Sequence, residues 1–183
     1  MTTMRRRAQR TTTVRLLTSA TVALTTIAAL GWYGGYRLNT TPSYPLGLWR
    51  IQPLTRGVRV GDRLFICPPD NNVFRLAKER SYLRLGLCPG GFGPLIKTVV
   101  ATAGQRVGID GFVTIDDIPL PHSFTVTRDG QGRPLTEFAG GVIPRGFLFL
   151  HSGFVGSYDS RYFGPIPQSG MLGLAQEVFT YVP

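Results

Sequence analysis

The stretch LIKTVVATAGQRVGI, residues 95–109, decides the fold class because two short runs of apolar and β-branched residues flank a turn. The runs are LIKTVVAT (95–102) and RVGI (106–109), and Gly104 lies between them. Short β-forming runs on either side of a glycine are typical of neighbouring strands. The central stretch therefore predicts a β-rich domain.

Similar runs occur on both sides of this stretch, again separated by turns that contain Gly or Pro. They are LWRIQ (48–52), RLFIC (63–67), FVTI (112–115), FTVT (124–127), GFLFL (146–150) and LAQEVFTYV (174–182). Such short strands are typical of an all-β barrel or sandwich, so we expect an antiparallel β fold. One helix is expected within it, at residues 71–85, where apolar residues recur at roughly helical spacing.

The N-terminal segment is a candidate membrane anchor. Between Arg15 and Arg37 the chain has twenty-one uncharged residues, and a helix of that length spans about 31 Å, close to the hydrocarbon thickness of a bilayer. We therefore expect a basic tail at 1–15, a transmembrane anchor at 16–36 and an exported domain at 37–183. A cleaved secretory signal peptide is the alternative.

The distribution of charge predicts the orientation of this anchor. The net charge is +10, and five of the twenty basic residues are arginines within the first fifteen positions, where no acidic residue occurs. Basic flanks stay in the cytoplasm, so the N-terminus is expected inside and the following domain outside. Because half of the charge excess belongs to this tail, we expect a lipid bilayer as partner and no nucleic acid.

The two cysteines take their interpretation from this topology. Cys67 and Cys88 form an even pair, and in an oxidising compartment a disulfide between them is the default expectation. Closing that loop would stabilise the fold by roughly 3 kcal/mol on the chain-entropy account; two free thiols are the alternative. Two cysteines and two histidines, at spacings unlike those of zinc motifs, predict no metal site, and no cofactor is expected.

Lys97, within the central stretch, is the residue with unusual chemistry. Eighteen of the twenty basic residues are arginines, and the two lysines are Lys78 and Lys97. In a buried strand, desolvation lowers the pKa of a lysine towards neutrality, whereas a guanidinium stays protonated. A buried Lys97 would therefore act as a base; alternatively, its ammonium reaches water at the strand edge or pairs with a carboxylate.

Two other segments carry hydroxyl groups and charges. Ser43 lies between Pro42 and Pro45, six residues beyond Arg37, and by itself is typical of a turn. The segment SYDSR, residues 157–161, by itself is typical of a loop held by an ion pair.

Together these segments resemble the signal peptidase family of membrane-anchored serine/lysine proteases, and most closely its conjugative-transfer, TraF-type branch. SYPLGLW (43–49) resembles the nucleophile motif S-x-P-x-G-x-[YW], and GDRLFI (61–66) resembles the G-D-x-apolar strand. LIKTVVATAGQRV (95–107) is similar to the lysine box, and SYDSRYFGPI (157–166) is similar to the C-terminal box S-x-D-S-R-Y-[FW]-G. The four motifs follow the expected anchor in the family's order.

The resemblance implies a catalytic role for three residues. Ser43 matches the nucleophile, and Lys97 matches the general base that takes its proton, a variant of serine protease chemistry in which lysine replaces histidine. Ser157 matches the hydroxyl that orients the lysine amine.

Supporting roles are implied for three more residues. Asp159 and Arg161 match an ion pair that braces the loop beside the site, which is also compatible with a purely structural role. Thr41 matches a side-chain donor that joins the Ser43 N–H in an oxyanion hole. A structural turn around the Thr41 hydroxyl is the alternative.

The sequence departs from the family pattern in places. HSGFVG (151–156) replaces the family's G-D-N-x-x-x, so no role is expected for those side chains. Residues 108–145 are too few for the large second domain of the housekeeping enzyme and predict a small β insert instead. The disulfide insert at about residues 67–92 is more similar to the TraF-type branch.

The expected protein is thus a serine endopeptidase anchored in the bacterial inner membrane, with its catalytic domain in the periplasm. The resemblance implies a membrane-associated precursor as substrate, namely a conjugative pilin. The acyl-enzyme could be resolved by water, giving cleavage, or by the amino terminus of the substrate, giving a cyclic peptide. The alternatives are a general signal peptidase and a non-catalytic anchored assembly module.

Overall fold

In a computed structural model of the chain, the backbone is described for residues 2–182, and the side chains for these residues except 2–8 and 11. Arg5, Arg6 and Arg7, expected in the cytoplasm, therefore lie outside the described side chains. The chain divides between Arg37 and Leu38 into an N-terminal unit and a second unit, which we call the β domain (residues 38–183).

The N-terminal unit is one long helix, α1 (Thr2–Tyr33), which includes the expected basic tail as well as the expected anchor. Within it, Thr12–Tyr33 is long and apolar enough to cross a membrane. Four threonine hydroxyls of α1 donate to the carbonyl four residues earlier: those of Thr13, Thr18, Thr21 and Thr25. Their polar groups are satisfied within the helix, as an apolar surrounding requires.

From residue 2 to residue 182 the chain forms twelve strands and two further short helices. The strands are β1 (Tyr36–Asn39), β2 (Leu46–Gln52), β3 (Arg63–Ile66), β4 (Leu85–Cys88), β5 (Leu95–Thr102), β6 (Arg106–Ile109), β7 (Val113–Ile115), β8 (Ile118–Pro119), β9 (Gly141–Val142), β10 (Phe147–His151), β11 (Ile166–Pro167) and β12 (Met171–Tyr181). The helices are α2 (Asn72–Glu79) and α3 (Ser160–Phe163).

Eleven of these twelve strands, all except β4, build two open sheets. The larger has the order β1-β2-β12-β3-β5-β10-β11, and the smaller, β8-β7-β6-β9, corresponds to the expected β insert. Neighbours from β2 to β11 in the larger sheet pair antiparallel, as do those of the smaller sheet. The prediction of an antiparallel, mainly β fold after an N-terminal helix is confirmed, and no closed barrel forms among the described strands.

Strand β5, the first run of the central stretch, lies inside the larger sheet between β3 and β10. Lys97 is opposite Leu64 of β3, and Val99 is opposite Leu150 of β10. Leu64, Val99 and Leu150 have no solvent exposure and belong to the main apolar cluster of the β domain. Lys97 is therefore opposite an apolar residue of β3 and two residues from Val99, which belongs to the same apolar cluster.

The disulfide insert follows β3. Cys67 and Cys88 are joined with their Cα atoms 5.5 Å apart, so the predicted disulfide is confirmed. The helix within the insert, α2, is shorter than predicted. The Asn71 side chain caps its start by accepting from Phe74 N, and the helix stops before Ser81, whose positive φ of 62° breaks the helical path.

The prediction of a strand at residues 124–127 is wrong, because these residues form a loop. Their main-chain groups bond to side chains and turns instead of a neighbouring strand: Phe124 O accepts from Arg161, and Val126 N donates to the Tyr162 hydroxyl. These partners lie more than thirty-five residues further along the chain, so the local pattern of residues 124–127 does not reveal them.

Candidate active site

Lys97 is buried, with 3% of its surface exposed, and its Nζ lies 2.5 Å from Ser157 Oγ. Burial lowers its pKa from 10.5 to about 8; the Asp159 carboxylate opposes this effect, and the Arg161 guanidinium adds to it. Desolvation is the largest of these effects. The amine is therefore neutral in a substantial fraction of molecules near pH 8, and Ser157 fixes its direction.

Asp159 and Arg161 form an ion pair with no solvent exposure on either side chain. Arg161 Nε donates to Asp159 Oδ1 at 2.8 Å, and a second guanidinium nitrogen donates to Oδ2 at 2.9 Å. Burial alone would raise the pKa of Asp159, but His151 and Arg161 beside it, with the charge of Lys97, lower it to about 2. The pair is thus fully charged at neutral pH, and its bidentate geometry offsets part of its desolvation cost.

The same guanidinium connects the pair to two loops. It donates to Ser157 O at 3.0 Å and to Phe154 O at 3.4 Å, both in the loop before α3. It also donates to Phe124 O at 2.5 Å, in the segment between β8 and β9. Arg161 therefore holds the main chain of Ser157, the residue that orients Lys97. It also joins this loop to the segment between β8 and β9 of the smaller sheet.

Ser43 lies in a turn between β1 and β2, which we call the nucleophile turn (residues 39–45). The Asn39 side chain organises this turn from inside. Its amide nitrogen donates to the carbonyl groups of Thr41, Tyr44 and Pro45 at 2.9–3.0 Å, and its oxygen accepts from Thr41 N and Thr41 Oγ1. The main chain around Ser43 is therefore held in one conformation by a single amide.

Two hydrogen bonds join the nucleophile turn to the surroundings of Lys97. The Tyr44 hydroxyl lies 2.6 Å from Thr98 Oγ1, on the residue after Lys97, and Ser152 Oγ donates to Ser43 O at 2.6 Å. Within residues 2–182, the Ser43 hydroxyl makes no hydrogen bond to another protein group, and the amine of Lys97 bonds to Ser157. The structure thus brings the main chain of Ser43 to the site and leaves its hydroxyl unengaged.

The Thr41 hydroxyl is engaged in the turn. It donates to Asn39 Oδ1 at 2.7 Å, as expected for the structural alternative. For Thr41 to act in an oxyanion hole, its hydroxyl must break this bond to Asn39 and donate to the substrate oxyanion instead.

Three residues of the site have no role assigned from the sequence: Asn39, Ser152 and His151. Ser152 N donates to Asp159 Oδ2 at 3.2 Å, and His151 Nδ1 lies 3.3 Å from the same oxygen. Ser152 and His151 belong to the segment that departs from the family pattern. The other partner of Ser152, the Ser43 carbonyl, lies 109 residues away along the chain, so no spacing rule could have found this contact.

Comparisons with known proteins agree with this arrangement of motifs. Residues 9–180 match the family described as signal peptidase, peptidase S26. The chain is 56% identical over 181 residues to the "Probable conjugal transfer protein TraF" of Sinorhizobium fredii, covering 99% of this chain and 96% of that protein. It is 55% identical over 170 residues to the "Conjugal transfer protein TraF" of Agrobacterium fabrum, covering 93% and 97%.

A more distant relative extends the comparison. The chain is 35% identical over 161 residues to a "Plasmid transfer protein TraF" of Escherichia coli, covering 85% of this chain and 89% of that protein. The family match spans nearly the whole chain, and each of these relatives is covered over most of its length. The chain therefore belongs to the peptidase S26 signal peptidase family and, within it, to the TraF-type branch.

Proposed function

We propose that this chain is a membrane-anchored serine endopeptidase that processes an exported precursor during conjugation, with Ser43 as nucleophile and Lys97 as general base. The observation that carries the proposal is the buried Lys97 amine, with its pKa lowered to about 8 and its Nζ 2.5 Å from Ser157 Oγ. At that pKa roughly one lysine in ten is neutral at pH 7, far more than for a free lysine. A base of this kind suits catalysis near neutral pH.

The proposed reaction begins with attack of Ser43 Oγ on the carbonyl carbon of the scissile peptide bond, while its proton passes to Lys97 Nζ. The oxyanion that forms would accept from Ser43 N–H and, after exchange of its bond to Asn39, from the Thr41 hydroxyl. The ammonium then returns the proton to the leaving amine as the C–N bond breaks. The product of this step is an ester between Ser43 and the acyl part of the precursor.

Two nucleophiles can resolve this ester. Water gives a free carboxylate and a trimmed linear chain, whereas the amino terminus of the acyl part gives a new peptide bond and a ring. In both cases Lys97 accepts the proton of the attacking group, and Ser43 recovers its own. A ring is lighter than the trimmed linear chain by one water, so the mass of the product distinguishes the two outcomes.

The proposed substrate is a pilin precursor that is still held in the membrane by its own apolar segment. Ser43 is seven residues beyond Tyr36, where the expected anchor ends, so it reaches at most about 25 Å from that end. That reach favours a scissile bond close to the bilayer surface. The names of the relatives, which are conjugal and plasmid transfer proteins, favour a dedicated substrate in conjugation.

The test is coexpression of the full chain with candidate pilin precursors, followed by mass measurement of the products. We expect processing by the wild type and none by Ser43→Ala or Lys97→Arg, since a guanidinium cannot supply a neutral amine. The matched controls are Ser169→Ala, at an exposed serine, and Lys78→Arg, at the other lysine, which should both process normally. Normal maturation with Ser43→Ala or Lys97→Arg would contradict the proposal.

A general signal peptidase is the second candidate, because the family itself is described by that activity. Deletion of the gene distinguishes the two. Loss of mating with normal secretion of other exported proteins supports the dedicated role, and a general defect in leader removal supports the second candidate.

A further inference from the structure

The nucleophile turn is fixed to the Lys97 strand by side chains outside the motif residues given catalytic or supporting roles above. Tyr44 occupies a variable position of the nucleophile motif, and Ser152 lies in the segment that departs from the family pattern. Tyr44, within the turn, makes a hydrogen bond of 2.6 Å to Thr98 of β5. Ser152, outside the turn, makes one of 2.6 Å to Ser43 within it.

Tyr44 contacts β5 through both its ring and its hydroxyl. The ring stacks edge-on against Trp49 at 6.1 Å and packs on a buried cluster that contains Ile96, the residue before Lys97. The hydroxyl lies 2.6 Å from Thr98 Oγ1, on the residue after Lys97. Tyr44, the residue after the nucleophile, thus packs on the cluster that contains the residue before Lys97 and bonds to the residue after it.

Ser152 approaches Ser43 from the opposite loop. Its hydroxyl donates to Ser43 O at 2.6 Å, and its main-chain N–H donates to Asp159 Oδ2 at 3.2 Å. Asp159 is held by Arg161, which donates to Ser157 O, and Ser157 bonds the Lys97 amine. A continuous series of bonds therefore leads from the carbonyl of the nucleophile to the amine of the base.

The two connections form a closed circuit that passes through the main chain of Ser43 and the amine of Lys97. We propose that Tyr44 and Ser152 are positioning residues that set the distance between Ser43 Oγ and Lys97 Nζ; this inference rests on the proposed function. Neither residue exchanges a proton with the substrate. Proton transfer depends steeply on such distances, and a displacement of about 1 Å can lower the rate by roughly 100-fold.

The kinetic test uses the full chain in detergent with its precursor. Tyr44→Phe keeps the ring and removes the hydroxyl, and Thr98→Val removes its partner; each should lower kcat roughly tenfold with KM unchanged. The Tyr44 hydroxyl also donates to His151 O, so the double variant should be no slower than Tyr44→Phe, because the bond that Thr98→Val removes is already lost in Tyr44→Phe. Ser152→Ala should lower kcat similarly and multiply the effect of Tyr44→Phe, because it removes a different bond.

Matched controls remove comparable bonds away from the circuit. Tyr82→Phe deletes a hydroxyl that donates to Asp129, and Ser123→Ala deletes a buried hydroxyl that bonds the main chain of the smaller sheet. Both should leave kcat within twofold of the wild type. A kcat for Tyr44→Phe equal to that of Tyr82→Phe would overturn the role of Tyr44.

A second measurement is independent of turnover. The native cysteines are joined in the disulfide, so Ser43→Cys introduces a single thiol, whose alkylation rate against pH reports its pKa. A nearby ammonium lowers a thiol pKa below about 8.5, so we expect a lowered midpoint that Lys97→Met abolishes. Tyr44→Phe or Ser152→Ala should raise the midpoint towards 8.5, and the two control substitutions should leave it unchanged.

The two measurements separate the inference from the proposed function. A midpoint that moves with Tyr44→Phe and Ser152→Ala supports the positioning role even where the wild type processes no precursor, an outcome that would reject the proposed function alone. A midpoint that neither substitution moves overturns the positioning role, whatever the activity of the wild type.

Discussion

At the scale of single residues, the chemistry proposed for this site depends on the burial of the Lys97 amine. Lys97 is buried between apolar strands, and the adjacent ion pair contributes charges of both signs. A base of this kind is made by removing water rather than by adding a second cation. The protonation of Lys97 should therefore control both activity and stability.

The pH dependence of processing follows from that protonation. In the proposed mechanism only the neutral amine can accept the proton of Ser43, so kcat should rise with pH, reach half its maximum near pH 8 and then level off. The check is a single-turnover rate of processing by the full chain between pH 6 and about 10.5. A rate that still climbs at the upper end would mean a lysine with an ordinary pKa.

The same group predicts an effect on stability. Lowering the pKa from 10.5 to about 8 means that the fold at pH 7 bears a cost of roughly 3 kcal/mol for the buried ammonium. Between pH 8 and 10.5 the unfolded chain binds more protons than the folded chain, so the free energy of unfolding rises with pH and the cost disappears.

Lys97→Met removes the charge and should increase the free energy of unfolding at pH 7 by about 2 kcal/mol, since the lost bond to Ser157 takes back about 1 kcal/mol. At pH 10.5 no gain should remain. Denaturant titration of the full chain in detergent at both values checks this, with Lys78→Met at the half-buried second lysine as control. An equal gain at both values would show that the ammonium is not the cause.

How much of the site the sequence predicts is a question of how far each contact reaches along the chain. Lys97 stands out because a charged residue interrupts an apolar run, and Asp159 and Arg161 stand out because they are two residues apart. Ser152 and Tyr44 carry no such signal. Their partners lie 109 and 54 residues away, and only folding brings them together.

At the scale of secondary structure elements, the short helix α3 connects the site to the smaller sheet. Asp159 caps α3 by accepting from Arg161 N, and Arg161 in its first turn reaches back to Phe124 and Ser157. A four-residue helix has little stability of its own. Its position therefore depends on tertiary bonds, of which the Arg161 guanidinium makes the largest number, beside those of Ser160 to Leu150 and of Tyr162 to Val126.

Arg161→Lys keeps the charge but cannot maintain five hydrogen bonds to four different residues, because an ammonium places its three donors on one atom. We expect a loss of about 2 kcal/mol in the free energy of unfolding and a roughly tenfold lower kcat. Arg133→Lys, at a part-exposed pair with Asp129, should cost less than about 1 kcal/mol and leave kcat unchanged. Equal losses from the two substitutions would contradict a special role for Arg161.

The elements themselves were predictable to different degrees. The longer strands β2, β5 and β12 have enough apolar and β-branched residues to identify them, whereas β8, β9 and β11 have two residues each and offer no pattern. The run at residues 124–127 has strand-forming residues but bonds to Arg161 and Tyr162 instead. There tertiary contacts override local propensity.

At the scale of the whole molecule, a helix that is long and apolar enough to cross a bilayer precedes the β domain. The apolar run within α1 is long enough to cross a bilayer, and we propose that the flanking charge sets its direction. In the proposed topology this direction brings the β domain to an exported precursor and to the oxidising compartment that its disulfide needs. The native disulfide can therefore report the orientation of the chain.

Replacing the tail arginines Arg5, Arg6, Arg7 and Arg10 by Gln removes most of the charge that holds the N-terminus inside, so we expect a substantial fraction of chains to insert in reverse. Those chains keep Cys67 and Cys88 as thiols, which a maleimide–polyethylene glycol reagent labels after denaturation without reductant. A control variant with four exposed arginines of the β domain replaced, Arg59, Arg84, Arg128 and Arg145, should stay unlabelled like the wild type. If the tail variant also stays unlabelled, its arginines do not set the orientation, because the disulfide forms wherever the β domain reaches the oxidising side.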